Sequence, residues 1–280
     1  MTKLVLKKFG EISGGDVEEI VAVIEECYER LMFHEVEILD LLLFKNSSAM
    51  KDFYSSESSA MGVISEELGE QFFAGHDAWR GTSRIAVCLE RMKRLPKQVQ
   101  LGILRHEVGH SVLHGSMEYY VFSITPPLAV ASARFGISRQ FSLDILYLIS
   151  IAVKDFEVTR VLLDRGYVDD QIAYIKHVLS TSNEDLDAWQ IAEGNHAGMA
   201  LCLAGRLKDV TPAIALCSKL GEPEMAKWMN DELSYLPEKV LTNMSNFLQK
   251  FLLKATGNTF EKVDVAMKIF IEDLLEPLFK

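Results

Sequence analysis

Residues 104–114 read L-R-H-E-V-G-H-S-V-L-H, with histidines at 106, 110 and 114. Four residues advance a helix by about 400°, so His106 and His110 lie about 40° apart on one face, one turn apart. That stripe constrains the chain more than any other feature. The segment must be helical for the two rings to converge. It must also be half-buried, because Ile103, Leu104, Val108, Gly109, Ser111 and Val112 around it carry no charge. Pro96 supplies a start and Gly115 a stop, which predicts a helix over 96–114. His114 is eight residues beyond His106, a climb of about 12 Å. It cannot share an ion with His106 and is expected to finish the helix, where positive charge is favourable.

Two imidazoles so placed suit one Zn²⁺ bound at about 2.0–2.1 Å, and Glu107 beside them is placed to act as a general base toward a water. The remaining ligand must come from elsewhere. A helix predicted over 140–164 holds Glu157 amid Val153, Phe156, Val158 and Val161, a costly place for a carboxylate without a partner. A metal would be that partner, and an ion pair with Arg160 is the purely structural explanation. Asp155, about 160° around the same helix, competes with Glu157 as a donor. Glu118 and Asp144 are further candidates, and a site with no third protein ligand is also compatible with the pattern.

The first 165 residues alternate strand and helix. Strands are expected at 3–9, 35–44, 70–74 and 84–91, the last two joined around the turn at 77–81. A helix capped by Asp16, with Glu19 three residues on, carries Val17, Ile20, Val21, Ile24, Tyr28 and Leu31 on one face. The serine-rich piece at 46–59 is expected to be a mobile surface loop, or a flap beside a site. Beyond Gly115 the pattern suggests helices near 128–134, 140–164, 169–180, 184–192, 197–208, 212–220, 223–234, 237–254 and 259–279. The turn at Arg165-Gly166-Tyr167 is the expected boundary, giving a domain over 1–165 and an α-helical domain over 166–280.

Charge narrows the partners. With 29 basic against 40 acidic residues the net charge is −11, which disfavours nucleic acid and anionic membrane. The most apolar segment, 143–153, is about half a membrane span, and no signal-peptide pattern opens the chain. The four cysteines, at 27, 88, 202 and 217, form no C-x-x-C pair. Reduced thiols in a cytoplasmic protein are expected.

The block I-L-R-H-E-V-G-H-S-V and the later D-F-E-V-T-R resemble the zincin metallopeptidases, and their gluzincin branch in particular. So does the order of backing helix, small sheet with an outer strand, and motif helix. The resemblance covers about residues 1–165. It implies an α+β fold: a zincin-like small mixed β-sheet with a backing helix and an H-E-x-x-H active-site helix, followed by a mostly α-helical C-terminal part. It implies one Zn²⁺ per chain on His106, His110 and Glu157, with Glu107 as catalytic base in hydrolysis of a peptide or protein substrate. The substrate would pair in extended form with the outer strand, here 84–91. A transition-state donor would come from Tyr119, Tyr120, Arg160, Tyr167, His177 or His196. Two features depart from relatives of this type. No glycine and histidine follow at the metzincin spacing. The Glu157 segment also lacks the aspartate that some gluzincins use to orient a zinc histidine.

Two other functions fit parts of the pattern. Glu107-x-x-His110 and Glu193-Gly194-Asn195-His196 are a pair of E-x-x-H segments, as in di-iron helical proteins. A non-catalytic, zinc-stabilised binding or assembly module is the second. Its homo-oligomer contact would use the stripe Val263, Met267, Ile269, Phe270, Leu274 and Leu275, which core packing also explains. Glu107 beside the histidines favours catalysis, because a structural zinc site needs no base.

Overall fold

The computed structural model describes residues 2–32, 34–60, 72–221 and 223–279. They form two compact units that exchange segments: Met1–Val121 with Val161–Tyr174, and Phe122–Arg160 with Ile175–Lys280. The single boundary read from sequence at 165/166 thus differs from these divisions, two of which fall inside helices.

The first unit opens with β1 (Lys3–Phe9), α1 (Gly14–Arg30), β2 (Ile38–Phe44) and α2 (Ser47–Ala60). β3 (Ala74–Asp77), β4 (Ser83–Cys88), a short α3 (Leu89–Met92), α4 (Lys97–Leu113) and a 3-10 turn at Met117–Tyr120 follow. The strands make one mixed sheet in the order β1-β2-β4-β3, with β3 antiparallel to its neighbour and the other pairings parallel. Helical crossovers between parallel strands account for the alternation seen in the sequence.

Helices cover both faces of the sheet, so its central strands read as continuous apolar runs. Leu39, Leu41, Leu42, Leu43 and Phe44 of β2, and Ile85 to Cys88 of β4, are all buried. Leu42, Phe44, Ala86 and Cys88 pack with Met50, Phe53 and Tyr54 of α2. The alternate residues face the α4 side.

Several expectations are corrected here. The serine-rich piece is not a loop but α2, because Met50, Phe53, Tyr54 and Glu57 recur at helical spacing and lie against the sheet. Strand β4 ends at Cys88, and the expected continuation to 91 is the helical turn α3. It is also not the outer strand, since β2 and β3 flank it. That place belongs to β3. Residues 70 and 71 of the expected strand at 70–74 lie outside the described residues, and β3 itself begins at Ala74. Helix α1 starts before Asp16: Ser13 is the cap, its Oγ accepting the Asp16 N–H at 3.1 Å.

The second unit is helical, with α5 (Pro126–Phe135) and most of α6 (Arg139–Asp164) followed by the end of α7 (Asp169–Leu179). After them come α8 (Asn183–Ala192), α9 (His196–Leu220), α10 (Pro223–Glu232), α11 (Glu238–Lys254) and α12 (Thr259–Phe270). A π turn at Ile271–Leu275 and α13 (Glu276–Leu278) close it. The two helices expected at 197–208 and 212–220 are one, running through Pro212. Proline offers no N–H to the Lys208 carbonyl. Thr211 Oγ1 lies 3.5 Å from that oxygen, and the hydroxyl also donates to Ala152 O at 2.6 Å. The apolar stripe of the last helices is buried within this unit, so it serves core packing.

The molecule is therefore mixed α+β and mostly helical, built with a small four-stranded mixed sheet. Among the described residues no helix is long and apolar enough to cross a membrane.

Candidate metal centre

Helix α4 has no side-chain cap at Pro96, and burial on both flanks holds it in place. His106, Glu107, Val108 and Gly109 are consecutive buried residues, so two ionisable groups sit inside without a break in the helix. Burial of that kind is costly unless the polar groups are paired.

The rings of His106 and His110 are nearly perpendicular, at 80° with centroids 4.7 Å apart. Their Nε2 atoms lie 3.1 Å apart. Two nitrogens bound to one tetrahedral ion at the usual zinc distance stand about 3.3 Å apart. The two imidazoles are therefore spaced to share one tetrahedral ion, and imidazole nitrogens suit zinc among other divalent transition metals.

The second nitrogen of His110, Nδ1, lies 3.2 Å from Nδ1 of His114. His114 does finish the helix, its backbone N–H donating to His110 O at 2.7 Å. Its ring, however, is not at the solvent-facing end but fully buried, edge-on to Tyr119 at 5.2 Å. On the other flank of His106 stands Tyr174, with ring centroids 4.9 Å apart. That contact depends on Gly102, where a Cβ would come within 2.4 Å of Asp170 O and 2.6 Å of Tyr174 Cβ. Gln171 Nε2 donates to the Gly102 carbonyl at 3.2 Å, and Arg105 holds Asp170 at 2.7 Å.

Glu107 is buried, and its charge reaches the Tyr54 phenol on α2. Burial first, then Asp77, pushes that phenol above its ordinary value, with Glu57 and Glu107 acting the same way against Arg84. Arg84 binds Asp77 at 2.9 Å and Glu57 at 2.8 Å, tying β3 to α2 through a buried guanidinium. Burial raises the Asp77 carboxyl, and its bond to Arg84 opposes that rise.

His76 on β3 was not among the sequence candidates. Its ring lies parallel to that of His110, with an interplanar angle of 4° and centroids 6.3 Å apart. His76 Nε2 meets Ser83 Oγ at 2.8 Å, and Nδ1 meets the Tyr120 hydroxyl at 2.6 Å. Nothing in the G-H-D sequence marks this residue; the edge position of β3 brings it to the centre. Beside it, at the C-terminal end of α4, opens a groove of about 690 Å³ lined by Ser83, Ser116, Tyr119 and the carboxylates of Glu35, Glu37 and Glu118.

The other candidates are placed as follows. Tyr167 donates to Glu26 at 3.1 Å and lies under Arg105. Arg160 lies over the Phe156 ring rather than against Glu157. His177 is on α7 in the second unit, and His196 packs edge-on to Phe279 at 4.8 Å. Asp144 accepts from Gln140 at 2.8 Å. On α6, Glu157 takes part in an ion pair with Lys262, and its Oε2 accepts from Thr259 Oγ1 at 2.9 Å. Asp155 is half-buried two residues earlier. Burial holds the adjacent Lys154 ammonium below its ordinary value, and the Asp155 charge opposes that fall. Glu193 and His196 straddle the turn between α8 and α9 at Gly194, whose φ is 82°. They therefore lack the shared helical face that a di-iron E-x-x-H needs. Burial pushes the Cys27 thiol up to about 12, which removes it as a nucleophile.

Comparison with known proteins finds no matching family model, no matching curated protein and no matching solved structure.

Proposed function

We propose that this chain is a zinc-dependent peptidase of the zincin type, cleaving a peptide or protein substrate. One observation carries the reading: His106 and His110 converge at Nε2 on a buried helix, with Glu107 buried between them in sequence. A zinc site kept for stability alone has no use for that carboxylate.

His106 and His110 would hold the metal. The third donor would be a carboxylate from elsewhere in the chain; Glu157, the donor expected from sequence, here serves Lys262 and Thr259. When bound, zinc supplies Lewis acidity toward a carbonyl oxygen and acidifies water.

The chain's own residues would do the rest. Glu107 takes the proton of the attacking water and delivers it to the departing amine, a role that needs its carboxylate held beside the histidines. In this reading an extended peptide would line up along β3, the strand that ends the sheet beside β4. Tyr120, held through His76 beside His110, is the donor best placed to steady charge that develops on the carbonyl oxygen.

Metal analysis of the purified chain, paired with a peptide-library cleavage assay, tests the reading. One zinc per chain and cleavage that stops on chelation are expected. Cleavage that survives exhaustive chelation would refute it.

A further inference from the structure

We infer that His114 is a positioning residue for the metal centre, taking the part that a carboxylate usually plays behind a metal-binding histidine. The inference rests on the zinc reading of His106 and His110.

A metal-binding imidazole is neutral and has one proton left, on the nitrogen that faces away from the metal. That N–H is almost always held by an acceptor, which fixes both tautomer and ring orientation. If His110 presents Nε2 to the metal, its proton is on Nδ1. Nδ1 points at Nδ1 of His114, 3.2 Å away. His114 must then accept there, with its own proton on Nε2.

The sequence shows why an imidazole fills this place. His114 is four residues beyond His110, so the helical step that brings His106 and His110 together also stacks His114 beneath His110. As C-cap residue with a fully buried ring, packed edge-on to Tyr119, it has a fixed orientation. The third histidine of the stripe is then neither a ligand nor a terminal charge. It selects which nitrogen of His110 meets the metal.

Two measurements test this. In the zinc-loaded chain, ring ¹⁵N correlation spectra are expected to show His110 protonated at Nδ1 and His114 at Nε2. Zinc affinity, measured by competition with a chelating dye, is expected to fall about 10- to 100-fold in His114→Leu. In His114→Asn, which keeps an oxygen acceptor near the place of Nδ1, it is expected to stay within about threefold of wild type. A His114→Leu protein that folds and binds zinc as tightly as wild type overturns the inference while leaving the zinc centre intact. So does a spectrum with His110 bare at Nδ1, which needs no variant to fold. A wild-type chain that binds no zinc overturns both.

Discussion

Gly102→Ala puts two physical effects in opposition, and the structure says which wins. Alanine is favoured over glycine inside a helix by about 1 kcal/mol. Against this, the new methyl would come within 2.4 Å of Asp170 O and 2.6 Å of Tyr174 Cβ. Ordinary contact is about 3.4 Å, so α4 and the start of α7 would have to part by about 1 Å. Neither neighbour is the end of a flexible side chain. Parting them also stretches the Gln171 bond to Gly102 O and the Arg105–Asp170 pair. Overpacking of this kind costs about 1–3 kcal/mol, and each weakened buried hydrogen bond about 1 kcal/mol more. The net expectation is a loss of about 2–4 kcal/mol, read as a lower urea midpoint with unchanged slope. Because Tyr174 packs on His106, zinc affinity should fall as well. A Gly102→Ala protein as stable as wild type, or more so, would show that the close approach of α4 and α7 is wrong.

Glu107→Gln should keep zinc affinity within a few-fold and lower peptide cleavage by about 10²–10⁴, measured by metal content and turnover on one sample. Glu157→Gln should cost about 1–3 kcal/mol of stability through Lys262 and Thr259, read from urea midpoints, and an unchanged midpoint would show that these contacts contribute nothing. Burial holds His177 below its ordinary value of 6.5. On acidification the unfolded chain protonates first, so stability present above about pH 6.5 is lost as the pH falls through the depressed value. His177→Gln should flatten that part of the slope in urea midpoints compared at about pH 7.5 and about pH 5.5.

What could be read from the sequence follows the reach of each signal. The motif helix was legible because its histidine spacing, its start and its stop are all local, and α4 runs from Lys97 to Leu113. The strand–helix alternation was legible for the same reason. Helix α2 was obscured by its serines, which favour turns, although Met50, Phe53, Tyr54 and Glu57 already carried the helical period. Pro212 suggested a break that tertiary burial overrides. The outer strand was misassigned because strand order is a long-range property: β4 is richer in strand formers, yet the four-residue β3 takes the edge. His76 and the Lys262 partner of Glu157 stayed hidden for the same reason, being placed by chain segments 34 and 105 residues away from the residues they serve.

A crystal of the chain grown with zinc, with diffraction recorded at the zinc absorption edge, tests the central claim most directly. A single strong peak about 2.0–2.1 Å from Nε2 of both His106 and His110 is expected. Ordered rings at 106 and 110 with no peak between them would contradict it.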